Sequence, residues 1–140
     1  MAHPNLEIID KFFQAYATRD MAALRQVALE DMKWIFPGRN PLSGTKSGIG
    51  EVIAFFDTMG GIIGSSNPRV EKLVTGVNDD YVVECQHIVT NRKDGKNLDH
   101  HWCVLWTIRD GNIVEGRHFA GDQHKADVFF SSVIGNEDAE

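Results

Sequence analysis

The chain has little cysteine, no surplus of positive charge, and no apolar run approaching the ~18–20 residues that span a bilayer. Its two cysteines, Cys85 and Cys103, are too few for a disulfide framework. Neither sits in a Cys-x-x-Cys pattern, which argues against redox or zinc duty, and Cys85 is expected to be a small inward-facing hydrophobe. The opening Met1-Ala2-His3-Pro4-Asn5 carries neither the basic nor the apolar stretch of a signal peptide. These absences predict a cytoplasmic protein with no membrane partner. Fourteen Lys and Arg stand against 20 Asp and Glu, a net charge of −6, so nucleic acid is not expected as a partner either. The basic cluster Arg92-Lys93-Asp94-Gly95-Lys96 reads as a solvated hairpin tip.

What remains is a chain of 140 residues, 42% hydrophobic and 24% charged, enough to bury a core without staples. It reads as one domain over residues 1–135, with an acidic tail at 136–140. The first half has helical periodicity. Leu6, Ile9, Phe12, Phe13 and Tyr16 recur at helical spacing, with Asn5 as cap. Asp20 caps a short second helix carrying Leu24 and Val27. Lys33–Phe36 reads as a short strand stopped by Pro37-Gly38. Ile49, Val52, Ile53, Phe56 and Met59 form a third helix, ended by Gly60-Gly61.

From residue 70 the period changes from 3.6 to 2. Strands are predicted over 70–77, 81–91, 98–108 and 113–120, with hairpin signals at Asp94-Gly95 and Asp110-Gly111. Helices first and a meander after them predict an α+β fold, with helices packed on one face of an antiparallel sheet. A two-residue turn at Asp94-Gly95 pairs His87 with Trp102 and turns Val83, Cys85, His87 and Val89 inward. A three-residue turn over 109–111 pairs Trp102 with His118 and Leu98 with Asp122. The expected result is a polar row, His87–Trp102–His118, in an apolar wall, with Asp122 at one end. A two-residue second turn would instead bring Arg117 inside. Ile88, Cys103, Leu105 and Phe119 then fall on the outer face, and a homodimer through that face is expected to cover them.

Trp34-x-Phe36-Pro37-Gly38, Pro41-Leu42-Ser43-Gly44-Thr45, the helix 51–56, and Arg109–Ile113 through Phe119–Gln123 resemble SnoaL-like proteins of the NTF2-like superfamily. The resemblance implies a cone of three N-terminal helices wrapped by a curved sheet around a pocket, often dimeric. It includes ketosteroid isomerases, polyketide cyclases, limonene-epoxide hydrolases and dehydratases, which generally need no metal or organic cofactor, and members that only bind ligands or proteins. The ketosteroid isomerase machinery is missing. Its base falls at Phe36, its oxyanion-hole tyrosine at Phe12 and its oxyanion-hole aspartate near Val104. The cyclases' acid/base aspartate near the end of the last strand, with a histidine nearby, matches Asp122 and His118.

The candidate catalytic residues are therefore Asp122, His118 and His87. A buried histidine stays neutral near pH 7, and a buried carboxyl is raised toward useful acid/base strength. Asp122 equally suits the cap of a terminal helix starting near Gln123, and either histidine equally suits a satisfied core position. Trp34, Phe36, Trp102 and Trp106 are expected to shape the pocket. Tyr16 is a candidate hydroxyl donor, and Arg39 and Asn40 are candidates at the rim. Six histidines include no His-x-His or His-Glu-x-x-His, and His100 and His101 must face opposite ways, so no metal site is expected. The expected function is cofactor-independent acid/base catalysis (isomerase, cyclase, dehydratase or hydrolase) on a small apolar oxygenated molecule. The rivals are a non-catalytic small-molecule binding module of the same fold and a protein-interaction domain.

Overall fold

The computed structural model describes the backbone of residues 3–138 and side chains as far as residue 134. Ten elements follow one another: α1 (Pro4–Thr18), α2 (Met21–Val27), β1 (Ala28–Phe36), β2 (Gly44–Ser47), α3 (Ile49–Gly64), β3 (Arg69–Val77), β4 (Tyr81–Val89), β5 (Asp99–Arg109), β6 (Asn112–Ala120) and α4 (Gln123–Asp138). The strands form one curved, unclosed sheet in the order β2-β1-β6-β5-β4-β3. The three N-terminal helices and the α+β class are as the sequence predicts, and α4 is a fourth helix at the C-terminus. Of the segment read as an acidic tail, residues 136–138 continue α4, and the last two lie outside the described residues.

Local chemistry explains most boundaries. Asp20 caps α2 by accepting from the Ala23 N–H at 3.0 Å. α1 begins two residues earlier than read: His3 is the cap, Pro4 takes the first helical position, and Asn5 turns inward to donate to the carbonyls of Asn78 and Asp79. α3 runs through Gly60-Gly61 to Gly64, because the apolar stripe continues with the buried Ile62. β1 is longer than the predicted Lys33–Phe36, starting at Ala28. It pairs parallel with β6, a pairing between distant segments that no local pattern shows.

The two hairpins correct the predicted registers. Between β4 and β5 the turn sits inside a longer loop, 90–98. There the Asn97 carboxamide accepts from the Thr90 hydroxyl and the Arg92 N–H, and Gly95 closes on the Arg92 carbonyl. His87 therefore faces His101 and Gln86 faces Trp102, one residue from the predicted pairing. With a side-chain period of 2, that slip turns β4 over. Val82, Glu84, Gln86 and Ile88 face the helices, while Cys85 and His87 face outward. Between β5 and β6, Asp110 and Gly111 (φ 52° and 78°) form a two-residue turn that pairs Arg109 with Asn112. A bulge next to Thr107 then resets the phase, so His118 points inward after all and Arg117 stays out. His118 lies opposite Val104, not Trp102.

Candidate functional site

Between α1, α3 and the concave face of the sheet lies a cavity of about 620 Å³, within the range of small-molecule sites. α1 contributes Leu6, Ile9 and Phe13, and α3 contributes Phe56, Met59 and Ile63. The sheet contributes Trp34, Trp102, Trp106 and His118, together with the inward residues of β4. β3 is an edge strand whose inner face adds Val70, Lys72 and Thr75.

Of the three candidate catalytic residues, one reaches this cavity. His118 is 9% exposed and ringed by Trp34, Phe36, Phe55 and Trp102 at centroid distances of 5.0–6.3 Å. Burial among these rings pushes its pKa down to about 3, so it is neutral at physiological pH. Its Nδ1 is buried with no hydrogen-bond partner, as are the indole nitrogens of Trp34 and Trp106. His87 is on the outer face, bonded through Nε2 to Asp99 at 2.6 Å and stacked on His101 at 4.4 Å. Asp122 is exposed, and its carboxylate accepts from the Lys125 N–H at 3.1 Å as the cap of α4. The register accounts for His87, and the end of β6 at Ala120 accounts for Asp122. Asp122→Ala is accordingly expected to cost ~1 kcal/mol, the usual loss for a removed N-cap. It should leave ligand affinity in the cavity unchanged, as denaturant melts and fluorescence titration would show.

The other candidates divide the same way. Trp34, Trp102 and Trp106 line the cavity, and Trp102 Nε1 donates to Gln86 at 2.9 Å. Phe36 stands behind His118, packed on Phe55 and Phe130. Tyr16 donates instead to Asp57 at 2.7 Å, beneath the Arg19 guanidinium. Burial, and then that carboxylate partner, raise the phenol's pKa. The Arg39 N–H and the Asn40 side chain both bond Asp127, tying the β1–β2 loop to α4 and away from the cavity. Cys85 lies outward against Cys103. Among the described residues, no group of three or more His, Cys, Asp or Glu is placed to hold a metal ion. None of the described helices is long and apolar enough to cross a membrane.

The residue that sequence reasoning missed is Glu84. The corrected registers put Glu84, Val104 and His118 in one row across β4, β5 and β6, all three lining the cavity. Glu84's side chain is only 15% exposed and pairs with Lys72 on the edge strand at 3.8 Å. The alternation of β4 gives little signal for it, because Val82 and Ile88, the two fully buried positions of the strand, share its face while Val83 and Val89 stand on the other.

Comparisons with known proteins bear on the family and the fold. A profile of the SnoaL-like domain matches residues 9–116. The uncharacterized protein Rv0034 of Mycobacterium tuberculosis is 27% identical over 128 residues, covering 91% of this chain and 96% of its own. Bal32a, from a soil-derived mobile gene cassette, superposes with a TM-score of 0.72 at 26% identity, over 91% of this chain and 96% of Bal32a. An NTF2-like protein of Burkholderia xenovorans shares the fold, with a TM-score of 0.68 at 20% identity over 91% and 95% of the two chains.

Proposed function

The chain belongs to the SnoaL-like domain family, within the NTF2-like fold, and on that footing we propose that its cavity binds a small, largely apolar, oxygen-bearing molecule and acts on it by cofactor-independent proton transfer. The observation that carries this is His118: a neutral imidazole inside an aromatic wall, with a nitrogen that no protein group satisfies. Leaving such a group unpaired costs free energy, so a ligand oxygen or hydroxyl that completes it gains about a hydrogen bond's net worth, ~1 kcal/mol. The aromatic walls supply the rest of the affinity through apolar burial. A homodimer is part of the same reading. The row Val74–Cys85–Cys103–Phe119 runs across the outer face, with Val74 59% and Phe119 49% exposed, and a second copy would cover it.

The test uses the three cavity tryptophans as reporters. 2-Acetylnaphthalene should quench their fluorescence with roughly fivefold or greater higher affinity than 2-ethylnaphthalene, the matching hydrocarbon. His118→Phe should erase that difference while keeping the hydrocarbon bound. Equal affinities in the native protein would remove His118 from recognition.

A second reading, the non-catalytic binding module, is favoured by one observation: Asp122 and His87 stand outside the cavity, so the predicted acid/base set is not assembled. A co-purified ligand recovered chemically unchanged after prolonged incubation would support it.

A further inference from the structure

We propose that Cys85 and Cys103 are a disulfide site: a low-molecular-weight disulfide, such as oxidised glutathione, converts the two thiols into one bond that staples β4 to β5 on the outer face of the sheet. The site stands apart from the cavity and does not depend on what the cavity holds.

The corrected register supplies the geometry. The two cysteines are 18 residues apart in the chain, yet their Sγ atoms lie 2.8 Å from each other. Cys85 faces Cys103 directly across the antiparallel β4–β5 pair. Residues so opposed have Cα atoms roughly 4.5–5.5 Å apart, inside the roughly 4.4–6.8 Å that a disulfide accepts. They also point to the same side of the sheet, so the sulfurs meet while the two backbones stay where they are. In the predicted register Cys85 would face Val104, and the thiols would lie on opposite sides of the sheet. Without a Cys-x-x-Cys spacing the sequence argues against redox duty; the register provides the neighbour that spacing lacks.

The surroundings favour reaction within the pair. Both residues are half-buried, in a row between Val74 and Phe119. The chain has two cysteines, so neither has another partner in the same molecule. Burial, and then the Cys85 thiol, push the Cys103 thiol up to about 11, which makes it the slow member with a reagent in solution. Once Cys85 carries a leaving group, Cys103 already lies beside the sulfur it attacks.

The exchange balances. The Cys85 thiol loses its proton to water, and its sulfur attacks one sulfur of the reagent. The reagent's S–S bond breaks, and one thiolate leaves with the electron pair and takes up a proton. Cys103 then loses its proton and attacks the Cys85 sulfur. The mixed S–S bond breaks, and the second thiolate leaves and is protonated. The protein gives up two hydrogens and two electrons, and the reagent is reduced to two thiols. Glu84, Gln86, Trp102 and Val104, the chain neighbours of the two cysteines, all line the cavity, so the staple lies directly behind its wall.

The test uses the native protein, dilute enough to elute as a monomer so that the outer face is open. It is incubated with excess oxidised glutathione near pH 8, and remaining thiols are blocked with iodoacetamide. Intact mass should show the loss of two hydrogens and no adduct, and a reductant should restore the starting mass. Cys103→Ser should stop at one glutathione adduct. The oxidised native protein should melt about 5 °C or more above the reduced one, because the bond closes a loop that the unfolded chain would leave open. Two glutathione adducts, two iodoacetamide-blocked thiols after prolonged exposure, or a bond between two chains would each overturn the assignment. So would an oxidised protein that melts no higher than the reduced one, since the sheet would then have to distort to make the bond.

Discussion

Gly116→Val should lower the unfolding free energy by about 3 kcal/mol, at the upper end of what overpacking costs. Gly116 lies beside Trp34 in the parallel β1–β6 pair, and the six-membered ring of that tryptophan occupies the space a Cβ would need. Trp34 is 2% exposed and held edge-on by Phe56 and Trp106, so its ring can move only by giving up those contacts. Trp34→Ala alone removes a large buried ring and should cost ~3–5 kcal/mol. In that background the valine partly refills the vacated space, and its penalty should shrink to ~1 kcal/mol or less, a strong departure from additivity. Urea unfolding of the four proteins at pH 7 would measure the cycle. A valine penalty of the same size in both backgrounds would mean that the ring and the glycine are not coupled.

The second large effect is a dependence on pH. The folded-state pKa of His118 is about 3, below its ordinary value of 6.5. Above pH 6.5 the ring is neutral in both states and contributes nothing to the dependence. As the pH falls from 6.5 toward 3, the unfolded chain binds a proton that the folded chain refuses, and stability drops by ~1 kcal/mol for each pH unit. His118→Phe removes this titration. The stability of the variant relative to the native protein should therefore grow steadily as the pH falls through 6, 5 and 4. The comparison cancels carboxylates common to both proteins. A stability gap that stays constant with pH would show that the ring titrates normally, and so that it is wetter than the fold implies.

Much of the architecture was readable from local chemistry. The change of period near residue 70, the Asp20 cap, the hairpin glycines and a terminal helix near Gln123 all follow from neighbouring residues. The family resemblance carried the cone. The site was harder, because which residues face the cavity depends on the parity of two loops. Asn97 folds its side chain into the first loop, and the bulge beside Thr107 adds a residue to the second strand pair. Neither feature has a strong pattern in sequence. One slip moved His87 out and Glu84 in. The bulge restored His118 by a route different from the three-residue turn expected for it. The polar character of the concave face of β4 compounded the problem. Glu84 and Gln86 look like solvent-facing residues, and only their flanking by the buried Val82 and Ile88 says otherwise.

The parallel seam between β1 and β6 bears on how the chain acquires its shape. Ile35 meets Arg117 across that seam, roughly eighty residues away along the chain, whereas the other large strand pairs are hairpins. The loop-closure entropy of this long-range contact must be met before the centre of the sheet exists. Until it forms, Trp34 and Gly116 are strangers, and His118 has no aromatic enclosure to depress its affinity for protons. The meander β3–β6 can assemble early and locally. The binding site, by contrast, is complete only when the two halves of the chain have met.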